Sequence, residues 1–154
     1  MDRMRESIFA VLGDLTGASF LDLFSGSGII ALEAASRGAS HIEAVEADPK
    51  KRKTLLANAV LLPVRIHCHF MAVELYIKRA KRSFDFIFCD PPFAYRFKTE
   101  LVNGIALSPL MNENSLLMIH RPKTEMVYQQ NSGGVLVLDT TKFYGISAVD
   151  FFTK

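Results

Sequence analysis

The chain has 154 residues, 49% of them hydrophobic, and 18 basic against 16 acidic residues give a formal net charge of +2. That length fits one domain over residues 1–154 with a substantial core; the longest apolar stretches fall far short of a membrane span, and Met1-Asp2-Arg3-Met4-Arg5 is no signal peptide. A cytoplasmic chain with no membrane partner is the expectation, and the charge is too mild by itself to require a nucleic acid.

The elements alternate along the chain. A leading helix is predicted over about residues 3–12, with Asp2 as its N-cap. Residues 19–24, Ser-Phe-Leu-Asp-Leu-Phe, read as a buried parallel strand that runs into Ser25-Gly26-Ser27-Gly28, and helical spacing follows over 28–38, closed by Gly38. A second strand covers 41–46. Asp48 then caps a helix over 49–61 whose first turn takes Pro49. A third strand over 64–69 and a helix over 71–82 lead to the run Phe84-Asp85-Phe86-Ile87-Phe88-Cys89, a fourth buried strand. A helix over 96–107 and a strand over 114–120 come next. Ser132-Gly133-Gly134 marks a turn, after which residues 135–138 and 144–152 form the closing pair of strands, with one antiparallel strand at the edge of an otherwise parallel sheet.

Strand, glycine loop and helix make a nucleotide-cradling unit, because glycines let backbone approach a ligand closely. Glu46 lies 20 residues after Gly26, where a carboxylate can accept from ribose hydroxyls. The spacing Gly26-x-Gly28-x-x-Ala31 also suits a dinucleotide, so an NAD enzyme is a rival. Asp22 argues against it. An anionic side chain at the end of the first strand repels a diphosphate and attracts an ammonium or a sulfonium. S-adenosylmethionine carries both cations and no phosphate.

Asp90-Pro91-Pro92-Phe93 closes the fourth strand, at the sheet edge where open α/β folds bind ligands. Neither proline donates an N–H, so Asp90 and the Pro91 carbonyl offer acceptors at a stiff turn, and Phe93 adds an apolar plate. That combination suits a planar group bearing an NH2, such as a stacked nucleobase. Tyr95, Arg96 and Lys98 read as solvated loop residues.

These segments together resemble the class I methyltransferases. Asp22-Leu23-Phe24-Ser25-Gly26-Ser27-Gly28, Val45-Glu46-Ala47-Asp48 and Asp90-Pro91-Pro92-Phe93 are similar to the motifs of the bacterial RsmD-type 16S rRNA guanine-N2 methyltransferases. Asp2-Arg3-Met4-Arg5-Glu6-Ser7-Ile8-Phe9 and Phe143-Tyr144-Gly145 fit the same family, and the match runs over nearly the whole chain. The resemblance implies a Rossmann-like α/β fold, a mostly parallel seven-stranded sheet in the order 3-2-1-4-5-7-6 with helices on both faces. It implies S-adenosylmethionine as cofactor, held around Asp22, Phe24, Gly26, Gly28, Glu46 and Asp48. The catalytic segment would be Asp90, Pro91, Pro92 and Phe93, and the partner 16S rRNA or an assembling small ribosomal subunit, met by a monomer.

Two features depart from the family. Members usually carry a segment ahead of the position of Asp2; without it the expectation is a shortened or diverged member with weaker RNA capture. The end of the third strand usually offers a polar residue near the adenine, and His69-Phe70-Met71 stands there instead, so apolar stacking is expected. In the 3-2-1-4 order Cys68 and Cys89 lie roughly 14 Å apart at about 4.8 Å per strand, beyond disulfide reach. His67 and His69 share a strand face while Cys68 points away, which gives too few ligands for a metal. Methylation of a DNA adenine or a protein amide remains an alternative chemistry, and a non-catalytic RNA-binding module with a relic cofactor pocket a different class. The basic clusters Lys50-Lys51-Arg52-Lys53 and Lys78 to Arg82, with Arg3 and Arg5, are candidate phosphate contacts or solvated helix faces.

Overall fold

The computed structural model describes residues 2–126 and 136–154. Helix α1 (Asp2–Leu12) precedes β1 (Ser19–Leu23), α2 (Ile29–Ser36), β2 (His41–Val45), a short 3-10 turn (Pro49–Lys51) and α3 (Arg52–Ala59). There follow β3 (Ile66–His69), α4 (Val73–Arg79), β4 (Phe86–Cys89), α5 (Lys98–Leu107), β5 (Leu116–Pro122), β6 (Val137–Tyr144) and β7 (Ser147–Thr153). The seven strands form one sheet in the expected order, β3-β2-β1-β4-β5-β7-β6.

The pleat divides the core in two. Leu21, Leu23, Ile87, Leu117 and Ile119 face α4 and α5, packing on Val73, Leu101, Val102 and Ile105. Phe20, Phe88 and Met118 face the other way, onto Met4, Ile8 and Phe9 of α1, Ile30, Ala31 and Ala34 of α2, and Leu55 of α3. Both faces of the central strands are therefore covered, which is why those strands are apolar at nearly every position. Asp85 fastens β4 to β1 at their start: its Oδ2 accepts from the Ser19 N–H at 2.9 Å, and its own N–H donates to the Ser19 hydroxyl at 2.8 Å.

The closing strands differ from expectation. The turn between them is at Gly145, whose φ of 58° is readily available only without a Cβ, and Tyr144 pairs with Ser147 across it. Ser132-Gly133-Gly134 and Val135 lie outside the described residues. Strand β6 runs on through Asp139-Thr140-Thr141-Lys142, a polar stretch that shows no apolar alternation because most of it is exposed at the edge of the sheet. The strand that runs against its neighbours is β7, which lies inside the sheet between β5 and β6 and is antiparallel to both. Most other elements sit within two or three residues of their expected limits. The exception is the helix after Asp48, which opens as the 3-10 turn and enters α-helix at Arg52.

Among the described residues no helix is long and apolar enough to cross a membrane, and no cluster of His, Cys, Asp or Glu could hold a metal. The cysteines are free. His67 stacks on His41, and His69 shares the Glu43 carboxylate with His41 and with the Tyr76 hydroxyl.

The β5–β7–β6 end is pinned by a buried ion pair. Arg121 donates through Nε and Nη2 to the two oxygens of Asp150, at 2.6 and 3.0 Å, and Thr141 donates to the same carboxylate at 2.6 Å. Arg121→Met would leave the Asp150 charge buried without its partner, which costs about 3–5 kcal/mol in comparable cases. Urea unfolding should report a loss of that size; a loss within the scatter of surface substitutions would contradict the assigned role.

Candidate active site

The site lies at the carboxyl ends of β1, β4 and β5. Leaving β1, the chain makes a sharp bend at Phe24, a non-glycine residue at φ 59°, and Gly26 and Gly28 follow at φ 57° and 83°. Three successive left-handed positions within five residues are costly for side chains with a Cβ, and glycine relieves two of them. A Cβ built on Gly28 would lie 2.5 Å from Leu55 Cδ1, so this glycine also lets α3 approach, whereas a Cβ on Gly26 would meet nothing within 4 Å. The loop's open side is at Gly26. The rest is held by neighbours: the Ser25 N–H donates to the Val45 carbonyl at 3.0 Å, and the Asn58 amide donates to the Ser27 carbonyl at 2.8 Å.

Glu46 buckles this loop to the end of β2. Its Oε1 accepts from the Gly26 N–H at 2.7 Å and its Oε2 from the Asp48 N–H at 2.8 Å, while Asp48 in turn accepts from the Lys50 N–H at 2.9 Å as the expected N-cap. Each Glu46 oxygen keeps a second lone pair for another donor. Asp22 lies beneath the loop, 1% exposed, and accepts from the Ala31 N–H at 3.2 Å in the first turn of α2. Burial pushes its carboxyl well above the usual carboxylate range; the charges of Asp90 and Glu46 push the same way, against the Ala31 N–H. Bringing a cation among these three carboxylates would favour the ionised form of Asp22.

A cavity of about 250 Å³ joins Asp22, Phe24, Gly26 and Asp90, with Asp2 and Arg5 of α1 at its side. The structure thus brings together three of the expected cofactor residues and the first residue of the Asp-Pro-Pro-Phe segment. Glu46 reaches that cavity only through Gly26, and Asp48 faces the 3-10 turn. Phe70, in the stretch expected to stack on adenine, lies under the Arg52 guanidinium at 4.4 Å.

Asp90 stands at the end of β4, where its N–H donates to the Leu23 carbonyl at 3.2 Å. Its Oδ1 meets Nδ1 of His120, the β5 residue beside it, at 2.9 Å. Phe93 is 47% exposed and sits edge-on to the His120 ring, with centroids 5.6 Å apart. His120 was not among the expected residues. The available signal was its place near the end of an apolar strand that the 1-4-5 order sets next to β4.

Lys98 corrects the solvated-loop expectation. It is 1% exposed, and its Nζ donates to the carbonyls of Phe93 (3.3 Å) and Tyr95 (2.5 Å) and to Glu125 Oε1 (3.0 Å). Arg121 completes the chain of contacts by donating to the Glu125 carbonyl at 2.6 Å. Tyr95 is likewise engaged: its ring is edge-on to Phe24 at 5.4 Å, and its hydroxyl donates to Glu74.

The fold and this site define a Rossmann-like member of the class I methyltransferase architecture. The family described as Conserved hypothetical protein 95 matches residues 1–153, and the chain belongs to it. It is 30% identical to "Putative rRNA methyltransferase YlbH" of Bacillus subtilis, over 99% of this chain and 85% of that one. It is 27% identical to Ribosomal RNA small subunit methyltransferase D of Escherichia coli, over 77% of this chain and 61% of the relative. Among solved structures, a conserved hypothetical protein of Streptococcus pyogenes superposes with a TM-score of 0.88 at 30% identity, covering 97% of this chain and 94% of its own.

Lys98→Met should release the 93–97 loop, because two carbonyls and Glu125 lose their only described charged donor. The expected cost is about 1–3 kcal/mol, with faster amide exchange at residues 94–97 than in the wild type. Unchanged exchange there would show that the prolines alone fix the loop.

Proposed function

We propose that the chain transfers a methyl group from S-adenosylmethionine to the exocyclic N2 of a guanine in 16S rRNA. The observation that carries this reading is the position of Asp90. Asp90 lines the same cavity as the glycine loop and Asp22, and its carboxylate meets His120, against whose ring the exposed Phe93 lies edge-on. A cofactor pocket and an amine acceptor thus share one residue.

The residues suit that cofactor. Backbone at Gly26 is open, the Ser25 hydroxyl is buried without a hydrogen-bond partner, and Asp22, Glu46 and Asp90 surround the loop with carboxylates. Asp22 would favour the ammonium end, Glu46 the ribose hydroxyls, and the Phe24 bend would set the width of the entrance. When bound, S-adenosylmethionine supplies an electrophilic methyl on a sulfonium. The chain's part is positioning and electrostatics. Phe93 holds the face of the base, and the Pro91 carbonyl and Asp90 accept from the amine, whose lone pair is otherwise delocalised into the ring. As the N–C bond forms and the methyl–sulfur bond breaks, positive charge passes from sulfur to nitrogen; Asp90 opposes it with a negative charge that His120 holds in place, and loss of an amine proton to solvent gives the neutral product.

Two measurements test this. Calorimetry should show binding of S-adenosylmethionine or S-adenosylhomocysteine and none of NAD; tight NAD binding with no response to the methionine derivatives would overturn the reading. Asp90→Ala should keep most cofactor affinity while slowing single-turnover methylation about 100- to 1000-fold, the loss of roughly 3–4 kcal/mol typical for one preorganised polar group. Asp90→Asn separates acceptor from charge: appreciable activity assigns the effect to hydrogen bonding, and Ala-like activity to charge. Wild-type rates in the Ala variant would remove Asp90 from the active site.

A further inference from the structure

Arg3, Ser7 and the Phe143-Tyr144-Gly145 segment do not line the cofactor pocket, and they meet in space. The Arg3–Ser7 stretch of α1 reaches the Phe143-Tyr144-Gly145 segment of the β6–β7 turn, where the Ser7 and Tyr144 hydroxyls are hydrogen-bonded at 2.7 Å. Between them is a second cavity of about 360 Å³, lined by Arg3, Met4, His120, Tyr144, Gly145 and Ser147. It lies within the size range of small-ligand pockets, about 300–1,000 Å³. His120 connects it to the Asp90 site.

Three features give this cavity a chemistry. Arg3 is exposed and has no ion-pair partner among the described residues, whereas Arg5 is tied to Asp2 at 3.5 Å and to Glu33 at 3.6 Å. His120 is 8% exposed, and its Nε2 has no hydrogen-bond partner among the described residues. A carboxylate only accepts, so Nδ1 carries the proton shared with Asp90, and in the neutral ring Nε2 is left as an acceptor. Phe143, which also lines the cavity, is 60% exposed, with the Lys123 ammonium 5.8 Å from its ring centroid. A free guanidinium, an aromatic face with a cation beside it, and a buried acceptor match one ribonucleotide: phosphate, base and a hydroxyl or N–H donor.

We propose that this cavity seats the RNA nucleotide adjoining the one that is methylated, with Arg3 on its phosphate and His120 Nε2 accepting from its ribose or base. The assignment rests on the RNA-methylation reading above. His120 then has two tasks on two nitrogens: Nδ1 holds Asp90, and Nε2 meets the neighbouring nucleotide.

The test uses in vitro-transcribed 16S rRNA with the intact chain saturated with S-adenosylhomocysteine. Arg3→Ala should weaken RNA binding about tenfold and lower the slope of log affinity against log salt by about one. Arg65→Ala, at an exposed position ahead of β3 at the opposite end of the sheet, should match the wild type. His120→Asn keeps a donor near the Nδ1 position and loses Nε2, so it should raise KM for RNA with kcat nearly kept. His120→Gln does the reverse and should lower kcat with KM nearly kept. Cofactor affinity and the thermal midpoint of each variant verify folding. If the wild type methylates RNA while Arg3→Ala retains its affinity and salt slope, the subsite is wrong and the proposed function stands. If both His120 variants lower kcat alike at unchanged KM, His120 serves Asp90 only and the subsite is again wrong. If the wild type neither binds nor methylates 16S rRNA, whether free or in assembling small subunits, both readings fall together.

Discussion

The loop after β4 depends on one buried ammonium. Pro91 and Pro92 remove two backbone donors from the segment after β4, which leaves carbonyls with few hydrogen-bond partners of their own. A lysine has three donors and no acceptor, and Lys98 spends all three on this loop and on Glu125. Glu125 is held in turn through its carbonyl by Arg121, whose guanidinium is paired with Asp150 of β7. The position of Phe93 is thereby referred back to the sheet through a line of charged groups. Replacing Arg121 leaves Asp150 buried without its cation, and replacing Lys98 takes a donor from the Phe93 and Tyr95 carbonyls.

A second constraint acts on the cofactor side. Asp22, Glu46 and Asp90 come from three different strand ends and converge on the glycine loop, so their mutual repulsion has to be offset. The N-terminus of α2 and the backbone N–H groups of Gly26 and Asp48 do so in part. The remainder shows in Asp22, whose carboxyl is pushed upward by burial and by the other two charges. A site arranged this way favours a cation and disfavours a diphosphate, so the preference between the two nucleotide cofactors compatible with the glycine spacing follows from electrostatics.

Much of this was legible in the chain. The alternation of strands and helices, the glycine loop and the Asp48–Pro49 cap follow from apolar runs, helical spacing and polar residues at strand ends, whereas the strand order comes from the family resemblance. What was not legible has physical causes. Strand β6 is an exposed edge and carries no alternating pattern, so Asp139 to Lys142 do not read as strand between the apolar runs at 135–138 and 144–152. Lys98 looked solvated because its burial depends on acceptors that only the folded proline segment presents. His120 was hidden at the end of an apolar run, and its importance emerges only when β5 is set beside β4. The equivalence of Arg3 and Arg5 also dissolved in three dimensions, since Glu33 of α2 and Asp2 neutralise one and leave the other.

The central claim is that the Asp90 cavity delivers a methyl group to a guanine amine, and product analysis tests it most directly. Unmethylated 16S rRNA incubated with the purified chain and methyl-labelled S-adenosylmethionine would be digested to nucleosides and separated. The account predicts label in N2-methylguanosine at a defined position. Label in N6-methyladenosine, or none in 16S rRNA supplied either free or in assembling small subunits while the cofactor is bound, would contradict it.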